Sequence, residues 1–157
     1  MTMPKVSNTE PTDKKKIVWA NEAYTLSIPK SFTLDTDKSS VLDLSYVDDT
    51  AKIEVFTIIE PKLDVQVSSM EEYVDIAMES FKGLTKNALI DTIKNPKGYT
   101  VLDKRFTGNF QDQDVVMYTR LIDTGTDYIQ IITVTDTTMF DKNVWIMLDI
   151  MSSFTMK

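Results

Sequence analysis

The stretch SSMEEYVDIAMESFKG, Ser68 to Gly83, sets the class of the fold. Met70, Tyr73, Val74, Ala77, Met78 and Phe81 recur at intervals of three and four, which draws one apolar stripe along an α-helix. Ser69 and Glu72 have the spacing of a capping box, in which each side chain satisfies an unpaired amide of the first turn. Gly83 suits the left-handed position that closes a helix. The spacing therefore predicts a helix over 69–82, with Phe81 buried beneath it. On both sides of this helix the apolar period falls to two, so an amphipathic helix interrupts a chain of strands.

Upstream, Tyr24, Leu26 and Ile28 alternate with Thr25 and Ser27, and Pro29, which lacks an amide proton, ends that strand and opens the polar loop LDTDKSS. Leu42, Leu44 and Tyr46 form a second alternation, and Ile53, Val55 and Ile59 share a face with Thr57 in a third. The paired aspartates of VDDT, Val47 to Thr50, predict a hairpin between the second and third. Downstream, TKNALIDTIKNPKG fits neither period. Strands are expected at Tyr99 to Phe106, Val115 to Ile122 and Tyr128 to Val134, joined as a meander by the turn-rich links GNFQDQD and DTGTD. In the closing stretch DKNVWIMLDIMSSF, Val144, Met147, Leu148, Met151 and Phe154 return to helical spacing, and Trp145, Ile146 and Ile150 widen the stripe. A helix over 143–154 that is apolar on most of its circumference is either deeply buried or covered by a partner.

The 157 residues, 42% hydrophobic and 26% charged, are enough for one domain with a substantial core. Residues 1–16 hold two prolines, a lysine triplet and no aromatic residue, and read as a flexible tether ahead of a single domain at 17–157. The net charge of −7 repels phosphate backbones and anionic membrane surfaces, so nucleic acid is not an expected partner. No apolar run approaches the ~20 residues of a membrane-spanning helix. Membrane contact is expected only through a lipid anchor lost together with an export signal.

The chain has no cysteine and no histidine, which removes thiolate nucleophiles, thiolate zinc sites and the commonest general base. Aspartates cluster at Asp35 with Asp37, Asp48 with Asp49, Asp112 with Asp114 and Asp123 with Asp127. Calcium needs several hard oxygen ligands, but no cluster has a calcium-loop pattern, and aspartate is a common turn former. Four widely separated glycines cannot build a phosphate cradle. Catalytic residues, cofactor-binding residues and metal ligands are all expected to be absent. Lys82, Lys86, Lys94, Lys97, Lys104 and Arg105 face only Asp91 and Asp103 in a locally basic segment, read as a solvated face that could dock an acidic partner.

The order of elements, with YTLSIPKSF near the start, SSMEEYVDIAMESF in the middle and YIQIITVT with IMLDIMSSF at the end, resembles the PsbP-like superfamily. In character it is closest to the bacterial DcrB-like lipoproteins. The superfamily also includes a Ran-binding nuclear import factor and chaperones of type VI secretion effectors. The resemblance covers Trp19 to Phe154 and rests on a tyrosine-led strand ending in proline and on a terminal Ser153-Phe154 pair. It implies an α/β/α sandwich around a central six-stranded antiparallel sheet, binding other proteins and lacking catalytic residues. The basic, proline-bearing tether looks like the linker behind a lipoprotein's acylated cysteine, though that cysteine is absent here. The expected function is a non-enzymatic accessory protein of the bacterial envelope or periplasm, acting through contacts with another protein. A cytoplasmic chaperone or adaptor for secreted effectors and an immunity-type inhibitor of a basic toxin stand as alternatives.

Overall fold

The computed structural model describes residues 14–20, 22–35, 42–79, 84–93, 99–110 and 112–156, with backbone alone for 78, 84–93 and 110. The chain runs β1 (Lys14–Trp19), β2 (Tyr24–Pro29), β3 (Thr33–Leu34), β4 (Leu44–Asp48), β5 (Ile53–Pro61), α1 (Met70–Met78), β6 (Leu84–Ile93) and β7 (Thr100–Phe110). It continues through β8 (Gln113–Asp123), β9 (Asp127–Asp136), α2 (Phe140–Ser152) and β10 (Thr155–Met156). A large sheet has the strand order β3-β4-β5-β9-β8-β7-β6, antiparallel throughout, and a small one has the order β1-β2-β10.

The central antiparallel sheet of the expected class is present, with six long strands and the two-residue β3 at its edge. Its membership differs from the sequence reading. The Tyr24 strand is not in it, because a tight reversal with positive φ at Ala20 and Glu22 folds β1 back onto one edge of β2, and β10 takes the other. With both edges occupied, β2 uses its side chains instead, turning Tyr24, Leu26 and Ile28 down onto the large sheet. The sixth long strand is β6, from the stretch that fitted neither period, and a bulge between Lys86 and Ile90 breaks its alternation.

The VDDT hairpin forms between β4 and β5, and β7, β8 and β9 form the expected meander. The tether boundary moves. Lys14, Lys15 and Lys16 lie in β1, paired with Pro29, Ile28 and Ser27, because Ile17 and Trp19 extend an alternation whose ladder reaches back to Lys14. The remaining tether residues lie outside the described residues. So do Phe81 and Gly83, while α1 is described as far as Met78 with Glu79 as its cap. The last helix starts at Phe140, earlier than its stripe indicated, behind a turn in which Asp136 accepts from the Thr138 amide at 2.8 Å.

Each face of the large sheet has its own core. On one, Ile53, Val55, Ile122, Ile129 and Ile131 meet Met147, Ile150 and Met151 of α2 together with the small sheet. On the other, Phe56, Leu102, Phe106, Met117, Leu121 and Ile132 meet Tyr73 and Val74 of α1. Strand β9 is the sandwich's middle and is buried from Tyr128 to Thr135, as a strand covered on both faces must be.

Candidate functional site

The first and last of the stretches that carry the resemblance meet in one place. Ser153, at the end of α2, accepts the Ser27 amide of β2 at 2.8 Å, and its oxygen sits 2.6 Å from the Ile150 carbonyl. Phe154 follows into a cluster of rings, 5.5 Å from Tyr24, 5.5 Å from Tyr99 and 6.3 Å from Trp19. Tyr24 reaches across to β9, donating to Asp127 Oδ2 at 2.5 Å. Burial, and then that carboxylate, push the Tyr24 hydroxyl up to about 12. The tyrosine-led strand and the terminal Ser-Phe pair are thus two halves of one clamp that fastens the small sheet to α2.

The interior holds charged and polar groups that sequence reading missed. Arg120 makes a two-pronged pair with Asp103, Nε to Oδ1 at 2.7 Å and Nη2 to Oδ2 at 2.8 Å, and donates to the Met151 carbonyl at 3.3 Å. Burial works against this guanidinium, but the Asp103 bonds prevail and hold its pKa above the usual value. On the opposite face the Lys104 ammonium is fully buried, 2.8 Å from Asp75 and 3.5 Å from Glu71 of α1. Tyr73 donates to Glu60, accepts from Gln130 Nε2 at 3.2 Å and stacks on Tyr128 with ring centres 4.6 Å apart. Burial first, and Glu60 second, raise its pKa. Lys62 lies over the same Tyr128 ring and pairs with Asp123 at 2.8 Å, which raises its own pKa.

The aspartate clusters are spent on turns. Asp48 accepts from the amides of Thr50 and Ala51 and from the Ser31 hydroxyl, while its neighbour Asp49 is exposed. Asp35 accepts from Ser45 at 3.3 Å, and Asp37 lies outside the described residues. Asp112 takes a left-handed turn position and Asp114 accepts from Asn109. Asp123 accepts from the Gly125 amide as well as from Lys62, and Asp127 holds Tyr24. The capping box forms in displaced form: the Glu72 amide donates to Ser69 Oγ at 3.0 Å, while the Glu72 carboxylate accepts from Ser68. The basic segment is not a uniform solvated face, since Lys104 is internal and Arg105 is half-buried against Phe140. Met147, Ile150 and Met151 point inward, so the terminal stripe is core, and Trp145 is the large apolar residue that α2 leaves exposed.

Two surface concavities lie among the described residues. One, of about 210 Å³, is lined by Asp48, Asp49, Glu54, Asp136 and Lys52 beside Gln113. Loss of solvent around its carboxyl, then Asp35 and Asp49, raise the Glu54 pKa, although the side chain still reaches water. The other, of about 600 Å³, lies against the outer face of the small sheet at Lys16, Val18, Thr25 and Met156. Among the described residues, no helix is long and apolar enough to cross a membrane.

The solution structure of cyanobacterial PsbP (CyanoP) from Synechocystis sp. PCC 6803 matches this chain with a TM-score of 0.67. The match covers 95% of each chain at 10% identity. The fold is PsbP-like. A second match is the crystal structure of LpqN, involved in cell envelope biogenesis of Mycobacterium tuberculosis, with a TM-score of 0.61 at 9% identity over 92% of this chain and 90% of that one. A third is PA94 from Pseudomonas aeruginosa, a protein of unknown function described as a putative regulator, with a TM-score of 0.53 at 12% identity over 92% and 97%. No family model and no curated protein matches the sequence. The sandwich implied by the resemblance is therefore the fold found.

Proposed function

We propose that this chain is a non-catalytic binding module of the bacterial cell envelope, of the DcrB-like kind, held near its partner by the segment that precedes β1. The observation that carries this reading is the PsbP-like fold shared with LpqN, a protein involved in cell envelope biogenesis. The interior chemistry agrees with it: Lys104, Tyr73 and Tyr24 are each engaged with a carboxylate of another layer, and Arg120 pairs with Asp103 inside the large sheet while donating to the Met151 carbonyl of α2. Such groups hold elements in place and are not poised toward a cleft. The effector-chaperone reading is weakened, since a groove for hydrophobic segments needs exposed apolar side chains, and Met147, Ile150 and Met151 of α2 are buried while Trp145 is exposed. The immunity reading draws on the acidic concavity around Asp48, Asp49, Glu54 and Asp136, which would suit a basic protein.

Fractionation of the source cell with an antibody to the native chain, followed by cross-linking in intact cells, tests the proposal. Recovery with the envelope, cross-linked to an envelope protein, is expected. Recovery in the cytosol overturns it, and a small basic toxin as the dominant adduct favours the immunity reading. A turnover activity lost on substituting Asp48, Glu54 or Asp136 would remove the word non-catalytic.

A further inference from the structure

The two helices are fastened to the large sheet by different means. α2 buries Asn143, Met147, Ile150 and Met151 along its thirteen residues and is tied near both ends. Asn143 donates to the Ala51 carbonyl and to the Thr135 hydroxyl, each at 2.8 Å, and Ser153 is bonded to Ser27 of the small sheet. α1 has nine residues, and among its described side chains Tyr73 and Val74 are the buried ones, with Met70 and Ala77 partly covered and Ile76 exposed. A helix shorter than about 12 residues is marginal in water on its own, so α1 is helical because it is docked. Much of that docking is polar: Tyr73 bonds Glu60 and Gln130, while Glu71 and Asp75, one turn apart, reach Lys104.

The seat beneath α1 is short of hydrogen-bond partners. The Lys104 ammonium is fully buried, whereas Asp75 and Glu71 are 45% and 52% exposed, so the charge taken out of water is the lysine's and its neutralisation sits at the rim. Thr119 stands opposite Lys104 in the β7–β8 ladder, and its buried hydroxyl has no hydrogen-bond partner among the described residues. Gln130, buried likewise, gives its amide nitrogen to Tyr73 and has no partner for its Oε1. Each such group costs free energy for as long as water is kept from it. We infer that α1 is a releasable cover, which lifts from the large sheet as one unit while the rest of the sandwich stays folded, and that the pairing of Lys104 with Asp75 and Glu71 is its latch. Tyr73 and Val74, in one core with Phe56, Leu121 and Ile132, keep the closed form dominant. Opening returns water to Lys104 and Gln130 together, which offsets part of the apolar surface bared.

Native-state hydrogen exchange of the full chain, labelled with nitrogen-15 and followed amide by amide across a urea series below the unfolding midpoint, tests the cover. The hydrogen-bonded amides of α1 should exchange faster than those of β9 and with little dependence on urea, because a local opening exposes little surface. Glu71→Gln with Asp75→Asn keeps the shape of both side chains and removes the charge. In that variant the α1 amides should exchange about tenfold faster, since charge-assisted hydrogen bonds become neutral ones, while β9 stays slower than α1. Adding Lys104→Met should return α1 to the parent rate or below it, because no buried charge is then left unpaired. Acylation of Lys104 by acetic anhydride, read from peptide masses, should be slow in the parent beside the exposed Lys142 and should quicken in step with α1 exchange.

Equal exchange of α1 and β9 in the parent, with the same urea dependence, overturns the inference, because α1 would then open only when the whole domain unfolds. So does a triple variant that exchanges as fast as the double one, which would assign the loss to the helix itself and not to the pairing with Lys104. Lys104 acylated in the parent as quickly as Lys142 would remove the latch, and so would acylation that does not quicken in the double variant.

Discussion

Phe154→Ala tests whether the clamp carries the fold. Phe154 is 4% exposed and lies within ring-contact distance of Trp19, Tyr24 and Tyr99, so truncation opens a cavity bounded by three large side chains from three separate segments. Such rings are rigid and tied elsewhere, Tyr24 to Asp127 for one, so the cavity cannot easily collapse. The expected cost is ~3–5 kcal/mol, a large part of the ~5–15 kcal/mol that holds a domain folded. At about 2–4 °C per kcal/mol for a chain of this size, the melting temperature should fall by roughly 6–20 °C. Phe154→Leu keeps much of the apolar volume and should lose only about 1–2 kcal/mol. Urea unfolding followed by far-ultraviolet circular dichroism gives the free energies, and near-ultraviolet dichroism reports the ring cluster itself. A loss below ~1 kcal/mol in Phe154→Ala would refute the argument, because the small sheet would then be fastened by something other than this ring.

Three other outcomes follow from the buried groups. Asp103→Ala strands the Arg120 guanidinium inside and should cost ~3–5 kcal/mol in urea unfolding, whereas the double change Asp103→Leu with Arg120→Met should cost much less, since it removes both charges. Equal losses in the two variants would show that the pair itself is net stabilising. By the same logic Lys104→Met should be near neutral, within about 1 kcal/mol, while Asp75→Leu with Glu71→Leu is strongly destabilising, as read by thermal melts. The raised pKa of Tyr24 means that the folded state keeps a proton the unfolded state releases above its ordinary value of 10.0. The stability linked to Tyr24 is fully present below pH ~10 and is lost as pH rises through about 12. Tyr24→Phe should flatten that alkaline loss, and a melting profile identical to the parent would contradict the assignment.

Which parts of this fold could be read from sequence follows from how each residue is used. Helix α1 and the β4–β5 hairpin announce themselves because burial becomes a short-range period beside a local turn, and the β7–β8–β9 meander because turn-rich links separate its apolar runs. Strand β6 stayed silent because its bulge shifts the register between Lys86 and Ile90, which scrambles alternation. The small sheet was misplaced for another reason. Whether Tyr24, Leu26 and Ile28 join a large sheet or roof it depends on which strands take their edges, and β10 comes from the far end of the chain. The internal pairs were missed although a signal existed. In the β7–β8 hairpin Asp103 stands opposite Arg120, and Lys104 alternates with Leu102 and Phe106 on an apolar face where a charge needs a partner. A registered hairpin would have exposed both.

The same division bears on how the fold is shared across such low identity. The recognisable words in the sequence, the tyrosine-led strand and the terminal serine and phenylalanine, are buried or hydrogen-bonded inside the clamp, where a change of one atom is felt by several neighbours. Exposed positions bear no such constraint. The exposed Val18, Ile76 and Trp145, the acidic mouth at Asp48 and Glu54 and the edge of β6 lie on surfaces the clamp does not govern. At 9–12% identity to its structural neighbours this chain retains the layers, while each of these surfaces can be rewritten without disturbing the core.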